Sequence, residues 1–167
     1  KKCIEALAVK IAVSEAAKAD VEPRFGGTYR IIPNGVPVDR YVPARHGKRV
    51  PGRILFIGRP EPRKGLLVLL RAFVRLRLAR PDATLVLVGP RWAQVRQLVE
   101  RSDSGLSWLI PGIAALGRVP HDVTVAEMGA AEVLCLPPPQ GQSFGIVFGG
   151  GLAAGLPVPR SSLSGCP

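Results

Sequence analysis

Two short stretches hold residues whose types and spacing could do chemistry on an anion. In "GRPEPRKG", residues 58–65, Arg59 and Lys64 stand five positions apart across a loop that contains Pro60 and Pro62. Proline fixes its own φ and has no amide proton, so this loop cannot be helical throughout and can aim both cations at one point. A guanidinium is a planar fork and an ammonium a point charge, a combination suited to a diphosphate. Gly65 then opens an apolar helix whose unpaired amides also favour negative charge. In "GQSFGIVFGGGLAAG", residues 141–155, the loop from Gly141 to Gly145 runs into a second helix start and exposes main-chain donors to a phosphate or a sugar hydroxyl. Each pattern alone is weak, because charges on a surface loop and a glycine turn explain them as well. The chain lacks G-x-x-x-x-G-K-S/T, which disfavours a P-loop kinase or ATPase, and lacks G-x-G-x-x-G after its first strong strand, which disfavours a dinucleotide fold.

The elements that must position these residues alternate in type. "RILFIG" (53–58) reads as a buried strand, "GLLVLLRAFVRLRLAR" (65–80) as a helix, and "ATLVLVG" (83–89) as a second strand, forming a β-α-β unit. In that helix the spacing puts Lys64, Arg71 and Arg75 on one side and leaves Leu66, Leu70, Phe73 and Leu76 to face a sheet. The alternation predicts a helix from Trp92 to Arg101, a strand over 114–119, a helix over 122–130, a strand in "EVLCLP", the quoted loop and helix, and a strand start at "LPVP". Apolar strands interleaved with helices imply a Rossmann-like parallel sheet with helices on both faces. Such sheets bind ligands beyond the carboxyl ends of their strands, where "GRPEPRKG", "GPR" and "PPPQGQSFG" all fall. Ahead of this body, "KIAVS" is read as a strand, "EAAKADVEPRF" as a helix capped by Ser14, and "YRIIPNGVPVDRYVP" as an extended connection with a Pro-Asn-Gly turn. The expected division is 1–50 as the end of one domain plus a linker, and 51–167 as a second domain, incomplete at its C-terminus.

Composition narrows the function. With 167 residues and 47% apolar content the chain can bury one ordinary core. No apolar run reaches the ~20 residues of a membrane helix, and no cleavage signature follows "KKCIEALAVKIAVSEAAK", so a cytoplasmic protein is expected, with peripheral attachment at the inner membrane face left open. Cys3, Cys135 and Cys166 form no C-x-x-C pair and only two histidines exist, which argues against a zinc site or disulfide framework; Cys135 is read as a small buried hydrophobe. The formal charge of +11 is local: residues 1–90 carry 18 Lys and Arg against 7 Asp and Glu, and the remainder carries 5 against 5. A basic half points to an anionic partner, either a nucleotide or an acidic membrane surface. Nucleic acid is disfavoured, because only 5% of residues are aromatic and none forms a stacking pattern among the arginines.

Taken in order, "AVSEAAK", "RIIPNGVPVDRY", "LFIGRPEPRKGLLVLLRAF", "LVLVG", "LGRVP", "AAEVLCLPP" and "SFGIVFGGGLAAGLPV" resemble the retaining family 4 glycosyltransferases over nearly the whole chain. The likeness is nearest to actinobacterial mannosyltransferases that act on phosphatidylinositol. It implies a GT-B architecture of two Rossmann-like domains facing across a cleft. This chain would supply the end of the first domain, the linker and most of the second, and would lack the N-terminal acceptor domain. The implied ligand is a nucleotide-diphosphate sugar, GDP- or UDP-linked, mannose being the implied sugar and no metal being needed. The resemblance assigns Gly58, Arg59 and Lys64 to the donor diphosphate, the Val119 region to the base, and Gln142, Ser143, Phe144 and Gly145 to phosphate and sugar.

The chain departs from that pattern where the family has two glutamates, which here are Gln142 and Gly150. Gln142 supplies no carboxylate for the sugar or for positive charge at the anomeric carbon, and Gly150 supplies no ribose contact. No catalytic residue is therefore assigned, and the isolated chain is expected to be impaired or inactive in transfer. Three glycines at 149–151 would also cost a helix about 1 kcal/mol each relative to alanine. The alternative of a different class is a noncatalytic module whose basic N-terminal half docks on anionic membrane or a partner. Restoring Glu at 142 and at 150 is expected to raise nucleotide-sugar affinity, by roughly two orders of magnitude for the pair, and melting temperature together, as titration calorimetry and thermal unfolding would measure.

Overall fold

The computed structural model describes residues 6–102, 111–137 and 145–159. Its contacts divide the chain into a smaller unit centred on Lys1–Val36, with which Gln140–Ile146 is grouped, and a larger one made of Pro37–Pro139 and Val147–Ser161. In the smaller unit β1 (Ile11–Ala12) pairs in parallel with β2 (Arg30–Ile31), and α1 (Glu15–Phe25) connects them. The Ser14 side-chain oxygen accepts from the Ala17 amide at 3.1 Å, so the helix begins where a capping residue stands.

The larger unit opens with a 3-10 turn, Val38–Tyr41, followed by one turn of α-helix, α2 (Val42–Arg45). This corrects the extended connection expected over residues 29–43, which runs no further than Pro37. Pro43 sits in the first turn of α2, where its missing amide proton removes no helical bond. The order then is β3 (Arg53–Ile57), a 3-10 turn at Pro62–Lys64, α3 (Leu66–Ala79), β4 (Thr84–Val88), α4 (Trp92–Ser102), β5 (Ile113–Gly117), α5 (His121–Ala130), β6 (Val133–Leu134) and α6 (Ile146–Ala153). The four strands β5-β4-β3-β6 are all parallel. "LPVP" flanks this sheet beyond β6: the Leu134 amide donates to the Pro157 carbonyl at 3.0 Å and the Leu136 amide to that of Pro159 at 3.4 Å. The prolines have no amide to give back, so this pairing is one-sided.

Alternation along β3 and β4 sorts their side chains onto two buried faces. Phe56, Leu85 and Leu87 join Leu66, Leu69, Leu70 and Phe73 of α3 and Val95 and Val99 of α4 in one core. Leu55, Val86 and Val88 are buried on the opposite face, where α5 packs on β3. Arg71 and Arg75 stay exposed, as the spacing in α3 requires. Cys135 packs against the core, and burial raises its thiol pKa.

Helix α6 persists through Gly149–Gly151, and two of those glycines have a packing reason. A Cβ at Gly150 would lie 2.8 Å from the Tyr41 hydroxyl and 2.9 Å from its Cζ, and one at Gly151 would meet Leu134 and, at 2.9 Å, Val158. A side chain at either position would force these neighbours to shift.

Two arginines from the segment after α2 and its last turn tie these helices down. Arg49 Nη1 donates to the carbonyls of Met128 at 2.9 Å and Ala131 at 2.7 Å, and Nη2 to those of Ala154 at 3.4 Å and Gly155 at 3.2 Å. Arg45 Nε donates to the Ala153 carbonyl at 2.7 Å. These carbonyls end α5 and α6, where orphan acceptors and the negative pole of the helix dipole both favour a cation.

Replacing Gly150 with Glu is accordingly expected to lower the melting temperature, contrary to the sequence expectation. Overpacking against Tyr41 costs about 1–3 kcal/mol, more than the ~1 kcal/mol that leaving glycine returns to a helix. Arg49→Met, which orphans four carbonyls, is expected to cost about 2–4 kcal/mol in denaturant unfolding, whereas Arg71→Met on the wet face of α3 stays within about 0.5 kcal/mol.

Candidate functional site

The carboxyl ends of the strands bring three loops together. The Gly58 amide, just past β3, donates to the Val88 carbonyl at the end of β4 at 3.0 Å. Past β4, the Gly89 amide donates to the Gly117 carbonyl at 2.7 Å, and the Gly117 amide donates back to Pro90 at 2.9 Å. On the other side Gly65 sits against the loop after β6, so close that a Cβ there would run into the Pro137 carbonyl. Its φ of +74° adds a second reason for glycine. The loops after β3, β4, β5 and β6 are thus held to one edge by backbone contacts.

Within the loop after β3, Glu61 is the organising group. Its carboxylate takes Arg59 Nε at 3.0 Å on one oxygen and Arg63 Nε at 2.7 Å on the other. Lys64 follows in the same turn, its Cβ 3.8 Å from the position a Cβ at Gly58 would take. Burial lowers the Lys64 pKa, Arg63 and Arg59 lower it further, and Glu61 raises it in part. The cations are close enough to repel, and an anion beside them relieves that repulsion. The Arg59 side chain is 70% exposed, and an exposed ion pair is worth under about 1 kcal/mol, so Glu61 holds it weakly and leaves it free to turn to a phosphate.

Of the residues expected at the site, Gly58, Arg59 and Lys64 share this loop. Val119 is half-buried in the loop between β5 and α5, and Gly150 packs against Tyr41. Gln142, Ser143 and Phe144 lie outside the described residues. Gly145 is described directly ahead of α6. The sequence reading passed over Glu61 and Arg63, although "EPRKG" displayed both, because it sought a cation pair and not the carboxylate that holds it. It also missed Tyr41, whose neighbour Gly150 is remote in the chain and carries no pattern pointing back.

The family described as glycosyl transferases group 1 matches residues 51–167. The chain is 37% identical over 168 residues to the phosphatidyl-myo-inositol mannosyltransferase of Mycobacterium tuberculosis, covering 95% of this chain and 42% of that protein. It spans about two fifths of the length of the curated relatives it matches. Among solved structures, sucrose-phosphate synthase from Thermosynechococcus elongatus superposes with a TM-score of 0.76 at 24% identity over 98% of this chain and 43% of that one. Anabaena HepE, solved in complex with UDP and glucose, superposes with a TM-score of 0.75 at 20% identity over 95% of this chain and 45% of its own. The parallel sheet with helices on both faces is therefore that of GT-B glycosyltransferases, and the chain belongs to the group 1 glycosyl transferases.

Proposed function

We propose that the larger unit is the donor-binding part of a retaining glycosyltransferase and holds a nucleotide-diphosphate sugar at the carboxyl edge of its sheet. The observation that carries this reading is the cluster of Arg59, Arg63 and Lys64 around Glu61, on the edge where parallel sheets take ligands, within the stretch the family matches. In it, Arg59 and Lys64 hold the diphosphate, the backbone at Gly58 assists, and the loop carrying Val119 meets the base. The similarity to phosphatidyl-myo-inositol mannosyltransferases, and to a mannosyltransferase of Corynebacterium glutamicum described as GDP-mannose-dependent, supports GDP-mannose as donor and a phosphatidylinositol-type lipid as acceptor. Gln142 in place of a carboxylate supports weak or absent transfer by this chain alone.

The rival reading, a basic module for anionic membranes, loses several of its cations to internal bonds. Arg45, Arg49 and Arg77 donate to backbone carbonyls and Arg53 pairs with Glu127 at 3.5 Å. No described helix is long and apolar enough to cross a membrane.

Calorimetric titration with GDP-mannose, UDP-glucose and GDP is expected to give saturable heat with at least one of them, while silence from a demonstrably folded chain would overturn the reading. Arg59→Ala is expected to weaken binding about tenfold or more, the value of one charge-assisted hydrogen bond. EDTA is expected to leave affinity unchanged. A bound diphosphate favours protonated Lys64, so affinity holds at neutral pH and declines as pH rises through a lysine pKa lying below its ordinary 10.5; Lys64→Met removes that decline.

A further inference from the structure

Glu61 stands between Pro60 and Pro62, its amide donating to the Arg59 carbonyl at 2.8 Å and its own carbonyl accepting from the Lys64 amide at 2.9 Å. The fixed φ of the two prolines and these two bonds leave its backbone little freedom, so the carboxylate stays in the loop whatever the loop binds. Each carboxylate oxygen takes the Nε of one arginine, Arg59 at 3.0 Å and Arg63 at 2.7 Å. The three side chains are between 34% and 70% exposed, and ion pairs as open as these add little to stability. Holding the fold together is therefore a poor account of why a carboxylate stands among three cations.

Its effect on the charge of the loop is a better one. Residues 58–65 carry Arg59, Arg63 and Lys64 against Glu61 alone, a net +2. Burial lowers the Lys64 pKa most, Arg63 and Arg59 lower it further and Glu61 raises it, so the four groups share one field. A nucleotide-diphosphate sugar holds its two phosphates as diesters and carries about −2, whereas the nucleoside diphosphate left after transfer ends in a monoester whose second ionisation, near pH ~6, brings it to about −3. We propose that Glu61 sets the charge class of the site, matching the loop to the dianionic diester and disfavouring the trianionic nucleoside diphosphate. This rests on the donor-binding reading above and adds to it the residue that separates donor from spent product.

The carboxylate acts in two ways. It competes with the ligand for the Nε donors of Arg59 and Arg63, which weakens donor and product alike. It also repels an anion beside it in proportion to that anion's charge, and this part falls more heavily on the product. A loop that holds the diester and repels the additional charge empties once the sugar has left.

The test is calorimetric titration of the full chain, of Glu61→Gln and of Glu61→Asp with GDP-mannose and GDP and with UDP-glucose and UDP, at about pH 8, where the monoester is ionised. In whichever pair the wild type binds, Glu61→Gln is expected to take the nucleotide sugar about twofold tighter and the nucleoside diphosphate about fivefold tighter, and the difference is expected to shrink at about 0.5 M salt. Glu61→Asp keeps the charge and is expected to keep the wild-type ratio of the two affinities. Equal tightening toward both members of a pair overturns the proposal while leaving donor binding intact, as does unchanged or weakened affinity. A shift in Glu61→Asp equal to that in Glu61→Gln also overturns it, since the shape of the loop is then the cause. So does a Gln variant that melts far below the wild type, because the carboxylate would then serve the fold. Absence of binding by the folded wild type overturns both this proposal and the reading beneath it.

Discussion

One guanidinium, that of Arg49, donates to the ends of two helices. Four carbonyl oxygens from the last turns of α5 and α6 and the residues just after them meet it within 2.7–3.4 Å. Helix ends carry carbonyls that no intrahelical amide can reach, and bringing two such ends together concentrates partial negative charge. A single planar cation with five donors satisfies the geometry that a lysine point charge would not. Arg45 adds a second tie at Ala153. Together they fasten the stretch before β3 to the far side of the sheet, and that fastening brings Tyr41 against α6.

The close fit of α6 follows from the same anchoring. With the stretch 37–50 held down, Tyr41 fills the room beside Gly150, and Leu134 and Val158 fill it beside Gly151. The glycines lower the intrinsic tendency of the segment to be helical, yet they allow an approach that larger residues would prevent. Propensity is local and small per residue, whereas packing is decided by what lies opposite. At position 150 the space that a larger side chain would claim is filled by the Tyr41 ring.

At the other end of the sheet the chemistry is concentrated by backbone geometry. Parallel strands end in the same direction, so the loops after β3, β4, β5 and β6 meet, and glycines at 65 and 89 let their backbones touch. Into this edge the loop after β3 brings three cations and one carboxylate. The carboxylate keeps the cations together without cancelling them, and burial first, then the neighbouring Arg63 and Arg59, lower the pKa of the half-buried Lys64. The fold is that of GT-B glycosyltransferases.

The sequence by itself determined the alternation of β3 through α6, because apolar runs of strand length and helical periodicity are local properties that the fold preserves. It also determined that Arg59 and Lys64 share a loop and that Ser14 caps α1, since these relations span a few residues. It misread the stretch ahead of β3, where prolines suggested an extended link and Pro43 instead starts a helical turn. Only the tertiary structure decided which arginines are free. Arg45 and Arg49 look no different in the sequence from Arg71 and Arg75, yet the first two are bound to carbonyls remote in the chain while the others face water. The same holds for Gly150, which reads as a helix defect until Tyr41 stands beside it. Contacts between distant segments depend on how the elements pack, and neither composition nor periodicity carries that information.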